Sequence, residues 1–274
     1  MSLHDNPGVG EEYVKRLENN LSGIYYERYV EGKWVGSEGL IYDEYDPTVH
    51  LLHPDDLPGN WTINRHSEFD QTGEQCYWVE PPQEWRIYRA IDFGFTNPFV
   101  CQWWARSPDD DLVLFREIYR TEARLDEHAE EINRLTADNW TISKTFADHD
   151  AEGRERLNAY GISTADTDKS VGDGIEAVKS RLALDDRGQP DLYFMEGARV
   201  HRPDFGLVQD DKPLKTIDEI PGYIWNEDKP EVDEPEKETD HGCDAMRYLV
   251  YSLDGGITIT PEERRKWASV TEGF

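Results

Sequence analysis

Three aspartates, far apart along the chain, could together hold divalent metal ions. Asp92 ends the apolar run IYRAID, Asp148 ends the short run TFAD, and Asp244 lies within DHGCDAMRY. A carboxylate at the end of a buried strand costs free energy unless it is paired or binds a cation. Mg²⁺ prefers oxygen ligands and takes only a few carboxylates. Two such ions, about 3.5–4 Å apart, can activate water and stabilise the leaving oxygen of a phosphodiester.

Ordinary structural roles compete with metal binding at each aspartate. Asp92 could cap the turn that follows it. Asp148 could cap the next helix, although Asp150 is the better candidate for that role. Asp244 lies in the first turns of a helix, where the helix dipole favours acidic side chains. Spacing alone therefore leaves both interpretations open at all three positions.

Other kinds of chemistry lack their motifs in this sequence. It contains no G-x-x-x-x-G-K-[ST], so ATP hydrolysis by the usual phosphate loop is excluded. Cys76, Cys101 and Cys243 are widely separated and form no C-x-x-C pair, which argues against a disulfide framework and a zinc site. There is no apolar run of about 18 residues and no apolar signal core. We therefore expect a soluble, intracellular protein with no membrane association.

The balance of charge is strongly acidic. The chain has 29 Lys and Arg against 58 Asp and Glu, a net charge of -29. Such a surface stays hydrated in concentrated salt, where repulsion is screened over about 3 Å at 1 M. This composition predicts a salt-loving source. It also argues against a nucleic-acid partner, because such proteins usually carry a basic footprint, unless a local basic track or bound cations offset the charge.

The pattern of apolar residues predicts an α/β protein with a central mixed β-sheet flanked by helices. Three apolar, β-branched and aromatic runs between residues 87 and 120 predict a meander of three strands. Alternating short strands and helices follow, which is typical of a sheet covered by helices. The predicted helices are 11–21, 125–137, 151–159, 172–184 and one beginning near 240; further strands are predicted at 145–148, 161–165 and 191–195. The polar stretch 53–86 reads as a connector that could contain a hairpin.

Together the motifs resemble the C-terminal nuclease domain of viral terminase large subunits. AIDFGFTNPF resembles the first motif of that family, FADHDAEGRERL the second, and DHGCDAMRY the third and most specific. DKSVGDGIEAVKSRL resembles the segment between the second and third. NPGVGEEYVKRLENNL and YVEGKWVGSEGLIYDEYD resemble the passage that joins the packaging ATPase to the nuclease. The resemblance covers most of residues 5–253 and is weak over 54–84 and 196–225.

This resemblance implies an RNase H-like fold and a divided chain. Residues 1–53 would link the packaging ATPase to the nuclease, 54–254 would form the nuclease domain, and 255–274 would be a tail. Asp92, Asp148 and Asp244 would bind two Mg²⁺ or Mn²⁺ ions, and His241 would support catalysis. Asp240 would be a supporting or additional ligand.

The implied activity is a metal-dependent endonuclease that cuts double-stranded viral DNA concatemers during genome packaging. Its implied partners are DNA, a portal protein and a small terminase subunit, at the procapsid packaging motor in the host cytoplasm. The ATPase motor is not in this sequence, so a fragment or a stand-alone module is expected. The candidate DNA contacts are Lys169, Lys179 and Arg181, with Arg154 and Arg156 near the second aspartate; Arg247 could instead pair with an acid of the site.

Two alternatives stay open. A resolvase- or transposase-like nuclease would have the same broad architecture but would prefer branched DNA. A non-catalytic acidic docking module would carry its aspartates as solvated surface groups. Ordinary salt bridges to the abundant acids are likewise the competing interpretation for each candidate DNA-binding cation.

Overall fold

The structure is a computed structural model that describes residues 39–69, 75–136, 140–167, 170–200, 204–226, 234–237 and 239–255. Within these ranges the strands are β1 (Leu51–Leu52), β2 (Thr62–Phe69), β3 (Gln75–Glu80), β4 (Arg86–Asp92), β5 (Phe99–Arg106), β6 (Leu112–Arg120), β7 (Ile142–Ala147) and β8 (Leu192–Met195). The α-helices are α1 (Pro47–His50), α2 (Leu125–Leu135), α3 (Ala151–Ala159), α4 (Val171–Leu182), α5 (Phe205–Gln209), α6 (Thr216–Glu219) and α7 (His241–Asp254). Short 3-10 turns occupy Pro54–Asp56 and Ile220–Gly222.

Six strands form one mixed sheet in the order β1-β8-β6-β5-β4-β7. β4, β5 and β6 are the predicted antiparallel meander, and β7 runs parallel to β4 on its other side. β8 runs parallel to β6, and β1 parallel to β8. Nearly every residue of the three meander strands is buried, as expected for a sheet covered on both faces. β2 and β3 form a separate hairpin, so the hairpin allowed for in the connector is present.

Helices cover both faces of the six-stranded sheet. Alternate residues of β4 point to opposite faces: Tyr88 and Ala90 join the core that includes α4 and α7, whereas Ile87 and Ile91 join the core that includes α2 and α3. By the same alternation Asp92 lies on the face covered by α7. No helix in the described ranges is long and apolar enough to cross a membrane.

Most of the predicted elements that fall within the described residues are confirmed. The strand predicted at 161–165 is wrong, because only Ala165 reaches β7, in a single bridge to Phe146. Gly161 has a left-handed φ of 78°, which turns the chain before a strand can form. The short helices α1, α5 and α6 and the two-residue strand β1 were not predicted. The helix predicted at 11–21 lies outside the described residues.

The predicted division of the chain stays a prediction. Residues 39–53, from the end of the predicted linker, pack into the sheet layer, with Ile41 and Tyr42 fully buried and Leu51 paired to Phe194. Residues 256–274 of the predicted tail lie outside the described ranges.

A buried polar network fixes the start of α7 over the meander. The Gln102 side chain, in the middle of β5, donates to Thr216 Oγ1 at 2.7 Å and to the Gly242 carbonyl at 2.9 Å. Glu117 of β6 accepts from the Thr216 hydroxyl and amide at 2.7 and 3.2 Å. Trp104 donates to the Gln102 side-chain oxygen at 2.9 Å. Polar groups that would be costly to bury alone therefore satisfy one another, and they hold α6 and α7 to the sheet.

Two further contacts tie the same helix end. Glu219 accepts from the Tyr119 hydroxyl at 2.7 Å and from the Cys243 amide at 2.8 Å, which satisfies a free N–H of the first turn of α7. A Cβ on Gly242 would lie 2.5 Å from Thr216 Oγ1, closer than any side chain can approach. Glycine is therefore required where α7 touches α6.

Arg181 clamps the opposite end of α7. Its side chain is fully buried, and its Nε and Nη2 bind the Asp254 carboxylate at 3.0 and 2.5 Å. Its Nη1 donates to the Asp110 carbonyl at 2.9 Å. The expectation that Arg181 contacts DNA is therefore wrong, because its guanidinium is enclosed between α4, α7 and the β5–β6 turn.

Removing this clamp should destabilise the protein strongly. Arg181→Ala leaves the buried Asp254 without its cation, and we expect a loss of about 3–5 kcal/mol in the free energy of unfolding. Urea unfolding followed by circular dichroism measures the loss. Lys179→Ala in the same helix is the control, since its half-buried ion pair should contribute less than about 1 kcal/mol. Equal losses in the two variants would contradict the assignment.

The carboxyl group of Glu117 should make stability depend on pH. Burial raises its pKa to about 7, so the folded state holds the proton more tightly than the unfolded chain does. Its stabilising contribution is present below the unfolded pKa near 4.5 and is lost as pH rises through about 7. Glu117→Gln stays neutral, so its free energy of unfolding relative to wild type should increase by about 1–3 kcal/mol between pH 5 and pH 8.

Urea titrations at pH 5, 6, 7 and 8 test this expectation. Glu130→Gln removes an exposed carboxyl from α2 and serves as the control. The same pH dependence in wild type and Glu117→Gln would show that Glu117 is not the titrating group.

Candidate functional site

Asp92 and Asp148 meet at one edge of the sheet. Because β4 and β7 are parallel neighbours, their carboxyl ends lie side by side. Asp92 is the last residue of β4, and Asp148 directly follows β7, where its amide donates to the Ile91 carbonyl at 3.3 Å. Asp150, two residues on, caps α3 by accepting from the amides of residues 152 and 153. The cap therefore belongs to Asp150, as the sequence favoured.

The first turn of α7 brings the third motif to the same edge. His241 Nδ1 lies 3.0 Å from Asp92 Oδ2, which joins the first motif to the third. One turn later, Asp244 accepts from Arg247 Nη2 at 2.7 Å and from the Tyr248 hydroxyl at 3.3 Å. The expectation that Arg247 pairs with an acid of the site is confirmed.

The three aspartates share one electrostatic neighbourhood. The pKa of Asp92 is raised to about 6, chiefly by burial and also by the charges of Asp244 and Asp148, while the hydrogen bond from His241 opposes the rise. Burial and the charge of Asp244 also raise the pKa of Asp240. For His241, burial lowers the pKa, but the hydrogen bond and charge of Asp92 raise it more. The site therefore holds more negative charge than its own cations offset.

The donor set fits a hard divalent cation in its chemistry. Carboxylate oxygens are the ligands that Mg²⁺ and Mn²⁺ prefer, and a bound cation would favour the charged form of Asp92, whose pKa is raised by burial and by the neighbouring carboxylates. In the described part of the chain, no three His, Cys, Asp or Glu side chains already form a cluster able to hold a metal ion. His241 and Arg247 instead contact two of the carboxylates.

Two glycines shape the surroundings of the site. A Cβ on Gly174 of α4 would lie 2.7 Å from Arg247 Cγ. The lack of a side chain at this position therefore leaves the space through which Arg247 reaches Asp244. A Cβ on Gly94 would lie 2.3 Å from the Pro98 carbonyl oxygen, so the turn after Asp92 can close only around glycine. Both lie in segments that carry the resemblance to the nuclease family.

The cations proposed to contact DNA are mostly engaged elsewhere. Lys169 lies outside the described residues. The others form ion pairs with nearby acids: Lys179 with Asp43 and Glu44, Arg154 with Asp166, and Arg156 with Asp126. In the structure, Lys179, Arg154 and Arg156 therefore form surface salt bridges, as the competing interpretation of these cations expects.

The buried polar side chains that hold the start of α7 against the sheet were not identified from the sequence. Gln102, Glu117 and Glu219 are fully or almost fully buried, yet none was singled out. Gln102 and Glu117 are polar residues within otherwise apolar strands. That pattern was the signal in the sequence from which a buried polar network could have been predicted. Glu219 lies in a stretch where the resemblance is weak, and nothing in its local pattern marked it.

Comparison with known proteins agrees with the motifs. No protein-family profile matches the chain. The large subunit of terminase from Escherichia phage T5 is 23% identical over 268 residues, which cover 93% of this chain and 52% of that protein. The chain thus spans about half the length of this curated relative.

Solved structures of large terminases share the fold. The large terminase of a thermophilic bacteriophage, solved in complex with ATP-γ-S, matches with a TM-score of 0.56 and 21% identity, over 92% of this chain and 54% of its own. The nuclease domain of the P22 large terminase matches with a TM-score of 0.52 and 14% identity, over 83% of this chain and 97% of that domain. The expected RNase H-like α/β fold is confirmed, and so is the resemblance of this chain to terminase large subunits that its motifs predicted.

Proposed function

We propose that this chain is the nuclease part of a viral terminase large subunit, a metal-dependent endonuclease that cuts double-stranded DNA concatemers during genome packaging. The supporting observation is the meeting of Asp92, Asp148 and the Asp244 turn at one sheet edge. These residues come from three distant segments, and each carries a motif of the nuclease family. A merely solvated acidic face would not require a buried carboxylate bridged to a histidine from another element.

In this proposal Asp92, Asp148 and Asp244 hold two Mg²⁺ or Mn²⁺ ions. When bound, such ions activate a water and stabilise the leaving oxygen of a phosphodiester. Hydrolysis joins the water oxygen to phosphorus and breaks one P–O ester bond, and the leaving oxygen gains a proton. A partly buried, charged edge of this kind attracts cations more strongly than fully exposed carboxylates do, because solvent screens it less.

The chain's own residues orient these carboxylates. His241 fixes one oxygen of Asp92, while Arg247 and Tyr248 contact the two oxygens of Asp244. Such partners limit the rotamers of a ligand before the substrate arrives, which lowers the cost of reaching the reactive geometry. We assign His241 and Arg247 as positioning residues, and Asp240 as a supporting acid.

The remaining features of the whole protein are part of the same proposal. The chain covers 52% of the T5 relative, which leaves room for the packaging ATPase elsewhere. Portal protein and small terminase subunit would be its partners, at the packaging motor in the host cytoplasm. The acidic surface would suit a salt-rich host, since near-molar salt screens its repulsion of DNA.

Plasmid digestion tests the nuclease directly. Supercoiled and linear plasmid are incubated with Mn²⁺, Mg²⁺ or EDTA across a KCl series that reaches molar concentration. We expect nicking and linearisation with metal only, and most strongly at high salt. Asp148→Ala and Asp244→Ala should each lower the rate by about 100-fold or more, because each removes a metal ligand. Asp150→Ser is the matched control, since serine caps a helix as well as aspartate does and should preserve activity.

Other outcomes point elsewhere. Full activity in both alanine variants, or cleavage in EDTA, would contradict the assignment. Faster cleavage of branched than of linear duplex would favour the resolvase-like alternative. A folded protein that neither cleaves DNA nor binds Mn²⁺ in calorimetry would favour the acidic docking module.

A further inference from the structure

A polar cavity lies beside the edge strand β7, away from the aspartates. Its volume is about 410 Å³. Its lining includes the charged and hydroxyl side chains of Arg89, Lys144, Thr145, Ser163 and Thr164. The cavity is bounded by the first half of β7 and by the chain that follows α3, whose Ala165 bridges to β7. No function assigned above uses this cavity.

Arg89 brings a buried positive charge to the cavity without an acid beside it. The residue is only 6% exposed. Its Nε donates to Thr145 Oγ1 at 3.0 Å and its Nη1 to Thr136 Oγ1 at 3.5 Å, and both acceptors are neutral. Among the described residues no carboxylate forms an ion pair with it, and burial lowers its pKa. A guanidinium that is buried without an anion is costly. This position therefore favours the binding of an anion from outside the protein.

Lys144 adds a second charge to the lining of the same cavity, from the opposite face of the edge strand β7, because Lys144 is the partner of Tyr88 and Thr145 that of Arg89. Its side chain is exposed, and its Nζ lies 5.4 Å from the centre of the Phe146 ring. Within the described ranges no acid pairs with Lys144 either. Lys179, Arg154 and Arg156, by contrast, have acidic partners.

Hydroxyl groups complete the donor set. Thr164 lines the cavity and accepts from Arg154 Nε at 2.9 Å, while its carbonyl accepts from Arg154 Nη2 at 3.1 Å. This contact brings a third cation to the rim, where it is shared with Asp166. A guanidinium, an ammonium and several hydroxyls around one polar cavity are the donors that bind phosphate oxygens.

We propose that this cavity binds a backbone phosphate of the DNA substrate and so positions the duplex for cleavage. The inference rests on the proposed nuclease function. β7 runs from Lys144 to Asp148, four residues on, so the cavity lies about 13 Å from the catalytic edge at about 3.3 Å per residue. That distance equals about four base-pair steps along a duplex, at about 3.4 Å per step. One duplex can therefore reach both places.

Binding measured without cleavage separates this site from catalysis. A fluorescein-labelled 20-base-pair duplex is titrated with the protein in EDTA over a KCl series, and anisotropy gives the affinity and its salt dependence. Lys144→Gln should bind about 3- to 10-fold more weakly, and its salt slope should fall by about 0.9, the value of one lost phosphate contact. Lys212→Gln is the charge-matched control, because Lys212 is exposed and lies outside the cavity.

Arg89→Lys provides a second test at the buried position. It keeps the charge but loses the planar fork, so we expect weaker duplex binding with an unchanged circular dichroism spectrum. Should this variant fail to fold, the comparison of Lys144→Gln with Lys212→Gln still decides the question.

The outcomes distinguish this inference from the nuclease proposal. Equal affinities and salt slopes for the two glutamine variants would overturn the phosphate site, even if wild type cleaves plasmid. If wild type neither binds nor cleaves DNA, inorganic phosphate is titrated and the melting temperature is followed at constant ionic strength. A larger rise in wild type than in Lys144→Gln would then show a free-anion site and overturn its role in DNA positioning. Equal rises would overturn the site altogether.

Discussion

The position of α7 depends on a polar network that is buried beneath its first turn. Gln102 and Glu117 come from the middle of the sheet, where a strand normally carries apolar side chains, and both bind Thr216. Gln102 also donates to the Gly242 carbonyl. This hydrogen bond fixes the residue at which α7 begins and its distance from the sheet. An apolar contact has no preferred direction, so it could not set the helix end this closely. The His241 contact to Asp92 follows from this placement.

The site itself combines attraction and repulsion in a confined space. Three aspartates approach one another at the carboxyl ends of parallel strands and at a helix start, and burial makes the charge of Asp92 costly. His241 and Arg247 offset part of that charge, and they also restrict how the carboxylates turn. The remaining negative charge is what a divalent cation would neutralise. Architecture and electrostatics therefore support the same proposed chemistry.

Charge is distributed unevenly over the molecule. The net charge of -29 repels DNA at a distance, and most of the described arginines and lysines discussed above are paired with acids. Against this background, one cavity is lined by Arg89 and Lys144, and no acid among the described residues forms an ion pair with either of them. Local positive charge can guide a phosphate backbone even when the whole surface is acidic, because screening in salt weakens the distant charges more than the near ones.

The sequence by itself determined the elements and the order of the motifs. Apolar and β-branched runs predicted the meander, helical spacing predicted the long helices, and the motif containing Asp244 predicted the nuclease resemblance, because these signals are local. Only the tertiary structure decided which side chains meet. Arg181 looked like a surface cation of α4, yet it is buried against Asp254, 73 residues away. Glu219 gave no local signal, yet it holds the start of α7. Burial and pairing depend on distant segments, which no local pattern records.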